Sequence, residues 1–218
     1  MENIASIILY KDHHYIVVNK PAGVPVQKDK TGDTSLHEMI MAYAKQELYL
    51  CNRIDRPVSG IVILAKTQKA AADFQKQFGT SFIKKYLAIV PKIEIPQEAE
   101  LKHFIGKSSK SNKAIIEDAP FKNAEAVSLN YKILKSADQY QLIEINTESG
   151  KFHQIRAQLA KAGMPVRGDV KYGARRSNKD KSVGLHAYSI SFIHPSKNKV
   201  LEFQTEWPDH DIWPVFKP

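Results

Sequence analysis

A carboxylate between two arginines is the feature of this sequence best suited to chemistry. Arg53 precedes Asp55 by two residues and Arg56 follows it directly, on a loop (52–60) that contains a proline and a glycine and leads into the apolar run 61–67. Because neighbouring positive charges favour an ionised carboxylate, Asp55 is suited to act as an anion or a nucleophile rather than as a proton donor. A solvated ion-pair network of little consequence is the alternative interpretation.

Residues 148–163 predict a second polar cluster, at the start of a helix. Ile155, Leu159 and Ala162 are expected to face the core. Gly163 is the expected C-terminal cap. His153, Gln154 and Arg156 would then point outward from the first turn, where free backbone N–H groups can bind an anion or a nucleotide. An ordinary amphipathic surface helix would have the same pattern.

Four ordered motifs resemble those of the RluA-type pseudouridine synthases. Residues 52–67, NRIDRPVSGIVILAKT, resemble the signature HRxDxxTSGxxxxAKT, and residues 148–173, ESGKFHQIRAQLAKAGMPVRGDVKYG, resemble TGRxHQIRxHLxxxGxPIxGDxxYG. Lys85-Tyr86-Leu87-Ala88 resembles KxYxA, and Leu185-His186-Ala187 with Ile193-His194-Pro195 resembles LHA…HP. With the opening VVNKPAG of residues 17–23, the resemblance runs from about residue 7 to residue 208.

The resemblance implies an active site and its residues. Asp55 is the expected nucleophile, Arg156 its expected ion-pair partner, and Tyr86 an expected active-site residue. The residues expected to contact the substrate RNA are Arg53, Arg56, Lys151, His153, Gln154 and Leu185, the last beside the target base. Four positions depart from the family pattern, and they concern contacts to the nucleotide more than the reaction: Asn52 and Gln158 for His, Val58 for Thr, and Lys151 for Arg.

Conversion of uridine to pseudouridine needs no redox change and no group donor. The resemblance therefore implies neither a metal nor an organic cofactor, in agreement with the absence of a Gly-rich phosphate loop and of clustered Cys/His spacing in the sequence. Asp55 could attack the base at C6 or assist departure at C1′, and the sequence does not separate the two routes. Tyr86 could stack on uracil or move a proton between carbon centres.

The elements that must position these residues are mostly strands. The predicted strands are 7–10, 15–19, the apolar run beginning at 61, 82–90, 127–134 and 140–146, with a hairpin of 187–194 and 199–205. Helices are predicted after Ser35, with Glu38 at capping-box spacing, and over 68–78 with Thr67 as the cap. The proline-rich tail after 207 is predicted to be non-helical. This order favours an α+β fold, a mixed and mostly antiparallel central sheet with flanking helices, formed by residues 1–218 as a single catalytic domain.

Composition indicates a polyanionic partner. The chain has 32 Lys and Arg against 23 Asp and Glu, a net charge of +9, and a pI near 9.4. Nine basic residues against two aspartates lie between Lys151 and Lys181, and residues 107–113 are predicted to be a basic surface loop. We expect structured ribosomal or transfer RNA to be the partner, with binding supplied by the catalytic domain itself, since the motifs begin too early to leave room for a preceding S4-type domain.

Single features limit the alternatives. One cysteine, Cys51, excludes an internal disulfide, and the sequence has no basic leader segment and no long apolar run, so we expect a cytoplasmic monomer with no membrane contact. Cys51 lies near Asp55, but spacing places no base beside it for a thiol mechanism. The remaining alternatives are a catalytically silent RNA-binding or ribosome-assembly factor and, with no second carboxyl residue nominated, a glycoside hydrolase.

Overall fold

Continuous and alternating apolar runs form strands close to their predicted positions. The computed structural model describes residues 4–77 and 82–217. Within these ranges the strands are β1 (Ile8–Lys11), β2 (Tyr15–Lys20), β3 (Tyr49–Leu50), β4 (Ser59–Ala65), β5 (Ile83–Pro91), β6 (Glu98–Lys107), β7 (Ala114–Glu117), β8 (Glu125–Ser136), β9 (Tyr140–Asn146), β10 (Leu185–Ile193) and β11 (Val200–Gln204). The helices are α1 (Leu36–Ala44), α2 (Gln68–Gln75), α3 (Gln154–Lys161) and α4 (Trp213–Phe216).

The chain divides into two compact units. Unit 1 contains residues 1–83 and 187–206, and unit 2 contains residues 84–186 and 207–218. The prediction of a single catalytic domain is not tested by this division.

Unit 1 is a sheet with two helices. β2 pairs antiparallel with β1 and β4, β10 follows β4 in the strand order, and β11 pairs antiparallel with β10. At Gly60, with φ 116°, a Cβ atom would lie 2.3 Å from the carbonyl oxygen of Ala187. Any larger residue would therefore force the backbones of β4 and β10 apart.

The caps predicted for both helices of unit 1 are confirmed. The Ser35 hydroxyl accepts from the Glu38 N–H, and the Glu38 carboxylate accepts from the Ser35 N–H, which is a complete capping box for α1. The Thr67 hydroxyl accepts from Ala70 N–H at the start of α2. α2 ends at Gln75, earlier than predicted, and Phe78 lies outside the described residues.

The core of unit 1 is aromatic. Phe74 of α2 contacts Phe82 and Phe192 at ring-centroid distances of 4.9 and 5.0 Å, and Tyr15 contacts Phe192 at 5.3 Å. These rings are at most 3% exposed and pack beside Ile61 and Ile63 of β4. Edge-to-face aromatic pairs contribute about 0.5–1.5 kcal/mol each beyond their buried area, so this cluster fixes β4 and the loop that precedes it.

Unit 2 is an antiparallel sheet in the order β5-β9-β8-β6-β7. The sequence did not predict β6 and β7, which flank the basic loop at 107–113. α4 corrects the prediction for the tail: a single helical turn forms because a proline is tolerated in the first turn, where its missing N–H has no helical partner.

Candidate active site

The Asp55 loop in unit 1 is held by its apolar neighbours. Ile54 and Val58 are buried, at 9% and 2% exposed, and the Val58 N–H donates to the Asp55 carbonyl oxygen at 3.0 Å. Asp55 itself remains partly exposed. The loop is thus a closed turn with its carboxylate-bearing residue at the surface, and Val58, where the family has Thr, is one of the buried anchors.

Asn52 fastens the start of this loop to β4. Its side-chain oxygen accepts from the Ile63 N–H at 2.7 Å, and its amide nitrogen donates to the Ile61 carbonyl at 3.2 Å. A side chain that pairs with both backbone groups in this way continues the hydrogen bonding of the strand edge. The departure from the family histidine at position 52 therefore has a structural role in this chain.

The two arginines beside Asp55 have different surroundings. Arg56 donates to the carbonyl of Gly23 at 2.8 Å and contacts Asp29, Thr31 and Asp33 through its guanidinium group, which ties loop 23–33 to the Asp55 loop. Arg53 is exposed, and its described hydrogen bond goes to Gln27 at 3.1 Å. Of the two, Arg53 is the more accessible to a substrate.

Lys20 is a buried cation that the sequence reasoning did not assign to the site. Its side chain is fully buried, and its ammonium group donates to the carbonyls of Pro21 and Val24 at 2.8 Å and of Arg56 at 3.2 Å. Burial lowers the pKa of Lys20 to about 7, while the Asp55 carboxylate acts to raise it and Arg56 to lower it. The sequence signal was a lysine directly after the apolar strand β2 and before a proline.

In unit 2, α3 corrects the prediction of an outward-facing amphipathic helix. Every residue from Gln154 to Leu159 is buried, and so is His153, which precedes the helix in the left-handed conformation with φ 54°. The polar side chains are accommodated because they hydrogen-bond to one another and to adjacent strands, which removes the cost of burying them. Ala162, not the predicted Gly163, is the C-terminal cap, and Gly163 follows it in the left-handed conformation with φ 77°.

Arg156 is the centre of a buried network. It donates to both carboxylate oxygens of Asp169, at 2.6 and 2.8 Å, and its guanidinium carbon lies 5.2 Å from the centre of the Tyr172 ring. The Tyr172 hydroxyl contacts His153 Nδ1 at 2.8 Å. Asp169 is 1% exposed and fixes the guanidinium plane by a bidentate ion pair. Asp169 is not among the residues predicted for the site, although the Gly-Asp pair of its motif was a signal for it.

Gln154 and Lys151 organise the segment before α3. The Gln154 oxygen accepts from the Ser149 hydroxyl and the Lys151 N–H at 2.7 and 3.1 Å, and its nitrogen contacts Thr147 at 3.1 Å. The Lys151 ammonium group pairs with Glu125 at the surface. These contacts give Gln154 a bracing role in unit 2, and its contact with RNA stays a prediction.

Gln158, the other departure in this motif, also has internal partners. Its amide nitrogen donates to the Leu101 carbonyl at 3.0 Å and contacts His103 Nδ1 at 3.1 Å. The side chain thus joins α3 to β6.

Tyr86 and Leu185 are both buried in unit 2, at 9% and 3% exposed. The spacing of the KxYxA motif places its lysine at Lys84 rather than at Lys85. Lys84 is 5% exposed and donates to the Ser149 carbonyl at 2.8 Å, and burial lowers its pKa to about 8. Lys85 instead pairs with Glu144 at 3.4 Å.

The predicted site residues therefore fall into two groups. Asp55, Arg53 and Arg56 belong to unit 1, with Lys20 added, whereas Tyr86, Lys151, His153, Gln154, Arg156 and Leu185 belong to unit 2, with Asp169 added. The pairing of Arg156 with Asp55 stays a prediction. Burial raises the pKa of the Cys51 thiol to about 12, which is unfavourable for a thiolate nucleophile.

The described residues contain neither a metal-ligand cluster nor a membrane-spanning helix. No group of three or more His, Cys, Asp or Glu side chains in 4–77 and 82–217 has a geometry that could hold a metal ion. In the same ranges no helix is long and apolar enough to cross a bilayer.

The chain is similar to known proteins over most of its length. The sequence model of the RNA pseudouridylate synthase family matches residues 14–161. The ribosomal large subunit pseudouridine synthase C of Buchnera aphidicola subsp. Baizongia pistaciae is 31% identical over 206 residues, which are 89% of this chain and 64% of that protein. The ribosomal large subunit pseudouridine synthase D of Zymomonas mobilis is 30% identical over 240 residues, which are 99% of this chain and 73% of that protein. The chain spans about two thirds of the length of these relatives.

Solved structures confirm the α+β fold. The human RNA pseudouridylate synthase domain containing 4 superposes with a TM-score of 0.75 at 24% identity, covering 94% of this chain and 90% of that one. The human RNA pseudouridylate synthase domain containing 1 gives the same TM-score at 23% identity, covering 93% of this chain and 82% of that one.

Proposed function

Because the chain belongs to the RNA pseudouridylate synthase family, and within it to the RluA type that its motifs resemble, we propose that it converts specific uridines of ribosomal or transfer RNA to pseudouridine with Asp55 as the nucleophile. The observation that carries this proposal is the construction of the Asp55 loop. The loop is anchored by hydrogen bonds of Lys20, Asn52 and Arg56 and by the buried side chain of Val58, while Asp55 remains partly exposed. Such fixed geometry lowers the reorganisation required during reaction.

The reaction would conserve atoms and electrons within the nucleotide. The N1–C1′ bond of uridine breaks, the uracil turns while it is held, and a C5–C1′ bond forms as the proton leaves C5 and N1 gains one. Asp55 assists either by adding to C6 of the base or by displacing the uracil at C1′ of the sugar, and in both routes its bond to the nucleotide breaks again before the product leaves. Both routes require a carboxylate, and no redox partner is consumed.

The other residues receive supporting roles in this proposal. Arg156, oriented by Asp169, would hold the Asp55 carboxylate, and Tyr86 and Leu185 would contact the uracil. The target nucleotide must leave its stack, which costs a few kcal/mol. Contacts with the RNA would offset this cost. The side chains proposed to make these contacts, or to position the segments that make them, are Arg53, Arg56, Lys151, His153 and Gln154.

The test compares the protein with Asp55→Ala and Asp55→Asn. Each is incubated with unmodified transcripts of ribosomal and transfer RNA, and pseudouridine is mapped by carbodiimide treatment and primer extension. We expect both variants to lose roughly 10⁴-fold or more in rate while RNA affinity is retained. Asp73→Asn, which removes a carboxylate from the surface of α2, is the matched control and should retain full activity.

Two results would contradict the proposal. Turnover by the Asp55→Ala variant at the rate of the unaltered protein would exclude Asp55 as the nucleophile. Absence of turnover by the unaltered protein on every transcript, with RNA binding intact, would support a silent RNA-binding factor instead.

A further inference from the structure

The basic stretch from Lys151 to Lys181 separates into two classes once its partners are known. Four of its nine cations form ion pairs, and three of these pairs use a carboxylate from outside the stretch: Lys151 with Glu125, Lys161 with Glu117 and Asp118, and Arg167 with Asp211; Arg156 pairs with Asp169. The five cations without a carboxylate partner among the described residues are Lys171, Arg175, Arg176, Lys179 and Lys181.

Three of these five cations line one cleft of unit 2. The cleft has a volume of about 1200 Å³, and Arg175, Arg176 and Lys179 lie on its wall. All three are exposed. Phosphate oxygens are the natural ligands of arginine and lysine side chains that have no internal counter-ion, because no existing ion pair has to be broken.

Other residues that line the cleft have internal partners. Arg167 donates to both oxygens of Asp211, at 2.6 and 2.8 Å, and its guanidinium group lies 4.8 Å from the centre of the Tyr140 ring. His210 lies 3.4 Å from Asp180 in the same cleft. The carboxylates of the cleft therefore already have partners, and they leave the three cations uncompensated.

The segment that carries the three cations has no regular secondary structure but is anchored at two points. Asn178 is 7% exposed and packs against Gly168, where a Cβ atom would lie 2.7 Å from the Asn178 side chain. Asp180 accepts from the N–H and the hydroxyl of Ser182 at 3.0 and 2.7 Å. Anchoring reduces the entropy lost when a ligand binds, so these cations form a prepared site rather than a flexible basic tail.

The position of the cleft within unit 2 separates it from Tyr86. Pro91 lines the cleft and ends β5, the strand that carries Tyr86 five residues earlier. At a rise of ~3.3 Å per residue, this places the Pro91 end of the cleft about 16 Å along the strand from Tyr86. That distance corresponds to roughly five stacked nucleotide steps at ~3.4 Å each.

From these observations we infer that the Arg175–Arg176–Lys179 cleft binds the sugar-phosphate backbone of the RNA several nucleotides away from the target uridine. This inference rests on the proposed function. The cleft contacts phosphates without reading bases, so it sets the position of the RNA and adds affinity, whereas the choice of uridine is made elsewhere.

The test is an RNA-binding measurement that needs no turnover. Arg175, Arg176 and Lys179 are replaced together by Gln in the Asp55→Ala background, and binding is followed by fluorescence anisotropy at several salt concentrations. The probes are an oligouridylate of about 20 nucleotides and a transcript that contains the uridine modified by the unaltered protein. A matched control replaces three other exposed lysines, Lys122→Gln, Lys132→Gln and Lys199→Gln, with the same loss of charge.

We expect the cleft variant to bind the RNA at least about tenfold more weakly and the slope of log K against log salt to fall by about two, since each lost phosphate contact to a single strand removes ~0.7. The lysine control should change binding less than about twofold. Arg175→Lys with Arg176→Lys, which keeps the charge, should retain the slope. Hydroxyl-radical footprints should lose protection several nucleotides from the target and keep it at the target.

Equal weakening by the cleft variant and the lysine control would overturn the inference, because it would reveal only an effect of net charge. Unchanged RNA binding by the cleft variant would also overturn it. Neither result would depend on turnover, so each is distinguishable from failure of Asp55 as the nucleophile.

Discussion

A single buried lysine connects two loops around the candidate nucleophile. Lys20 ends β2, and its ammonium group joins the carbonyls of Pro21 and Val24 to that of Arg56, the residue after Asp55. A buried cation is costly unless it is fully hydrogen-bonded, and here three carbonyl oxygens accept from it. We therefore infer that Lys20 positions the backbone segment that carries Asp55.

Lys20→Met retains the length of the side chain and removes the three hydrogen bonds. We expect the free energy of unfolding to fall by about 2–3 kcal/mol, because three carbonyl oxygens lose their hydrogen-bond donor. Removal of the buried charge acts in the opposite direction and limits this loss. The rate of pseudouridine formation should fall at least about tenfold as the Asp55 loop loses its fixed geometry. Urea denaturation and a single-turnover assay measure the two effects.

The control for this change is Lys69→Met, at an exposed position of α2. It should be nearly neutral in both assays. A Lys20→Met protein with unaltered stability and rate would show that the three hydrogen bonds neither stabilise unit 1 nor position Asp55.

At the scale of elements, the β1–β2 turn of unit 1 is joined to the β10–β11 turn by one carboxylate. Asp12 accepts from the N–H groups of His14 and Tyr15 at 2.8 Å and contacts His194 Nε2 at 2.9 Å. Because His194 Nδ1 accepts from the N–H groups of Ser196 and Lys197, the proton of the neutral ring is on Nε2 and is donated to Asp12. Two hairpins distant in sequence thus share one acceptor.

Stability should depend on pH through this group. Partial burial acts to raise the pKa of Asp12, but hydrogen bonds from Tyr15, Tyr10, His14 and His194 outweigh it and lower the pKa below the value of ~3.9 expected in the unfolded chain. The folded state then binds fewer protons than the unfolded state in this range. The stabilisation is complete above about pH 5 and is lost as the pH falls through 4 and below.

Asp12→Asn tests this dependence, because it keeps one acceptor oxygen and replaces the other with a donor. We expect a loss of about 2–3 kcal/mol at pH 7, with the difference from the unaltered protein shrinking below pH 4. Thermal unfolding between pH 3 and 8 measures it, with the exposed Asp138→Asn as the control. A difference independent of pH would contradict the assignment.

At the scale of the whole molecule, the net charge of +9 predicts how RNA binding responds to salt. Phosphate contacts release counter-ions, so affinity should fall with a log–log slope of at least about three, or at least roughly 60-fold between 50 and 200 mM salt. Target and non-target RNA should give similar slopes, since backbone contacts do not depend on sequence. Fluorescence anisotropy with both RNAs measures the dependence of affinity on salt, and an affinity that does not change with salt would contradict this prediction.

Elements whose causes are local could be predicted from the sequence. The capping box at Ser35 and Glu38, the Thr67 cap and the strand β9 at Tyr140–Asn146 were predicted because side chains bond to backbone groups a few residues away or alternate along one strand. The family motifs likewise lie within continuous segments, so the family could be identified from the sequence alone.

Which charges and polar groups contact each other depends on the folded chain and could not be predicted from local sequence. α3 is buried only in the folded chain. Arg156 pairs with Asp169, 13 residues later, and Arg167 pairs with Asp211, 44 residues later. These pairs divide the cations of the basic stretch into paired and unpaired ones. The burial of Lys20 likewise depends on a distant residue, because Arg56, 36 residues later, supplies one of the carbonyls that accept from its ammonium group. Local propensity acts over one turn or one strand, whereas these interactions form only when the folded chain has brought distant groups within hydrogen-bonding distance and removed the water between them.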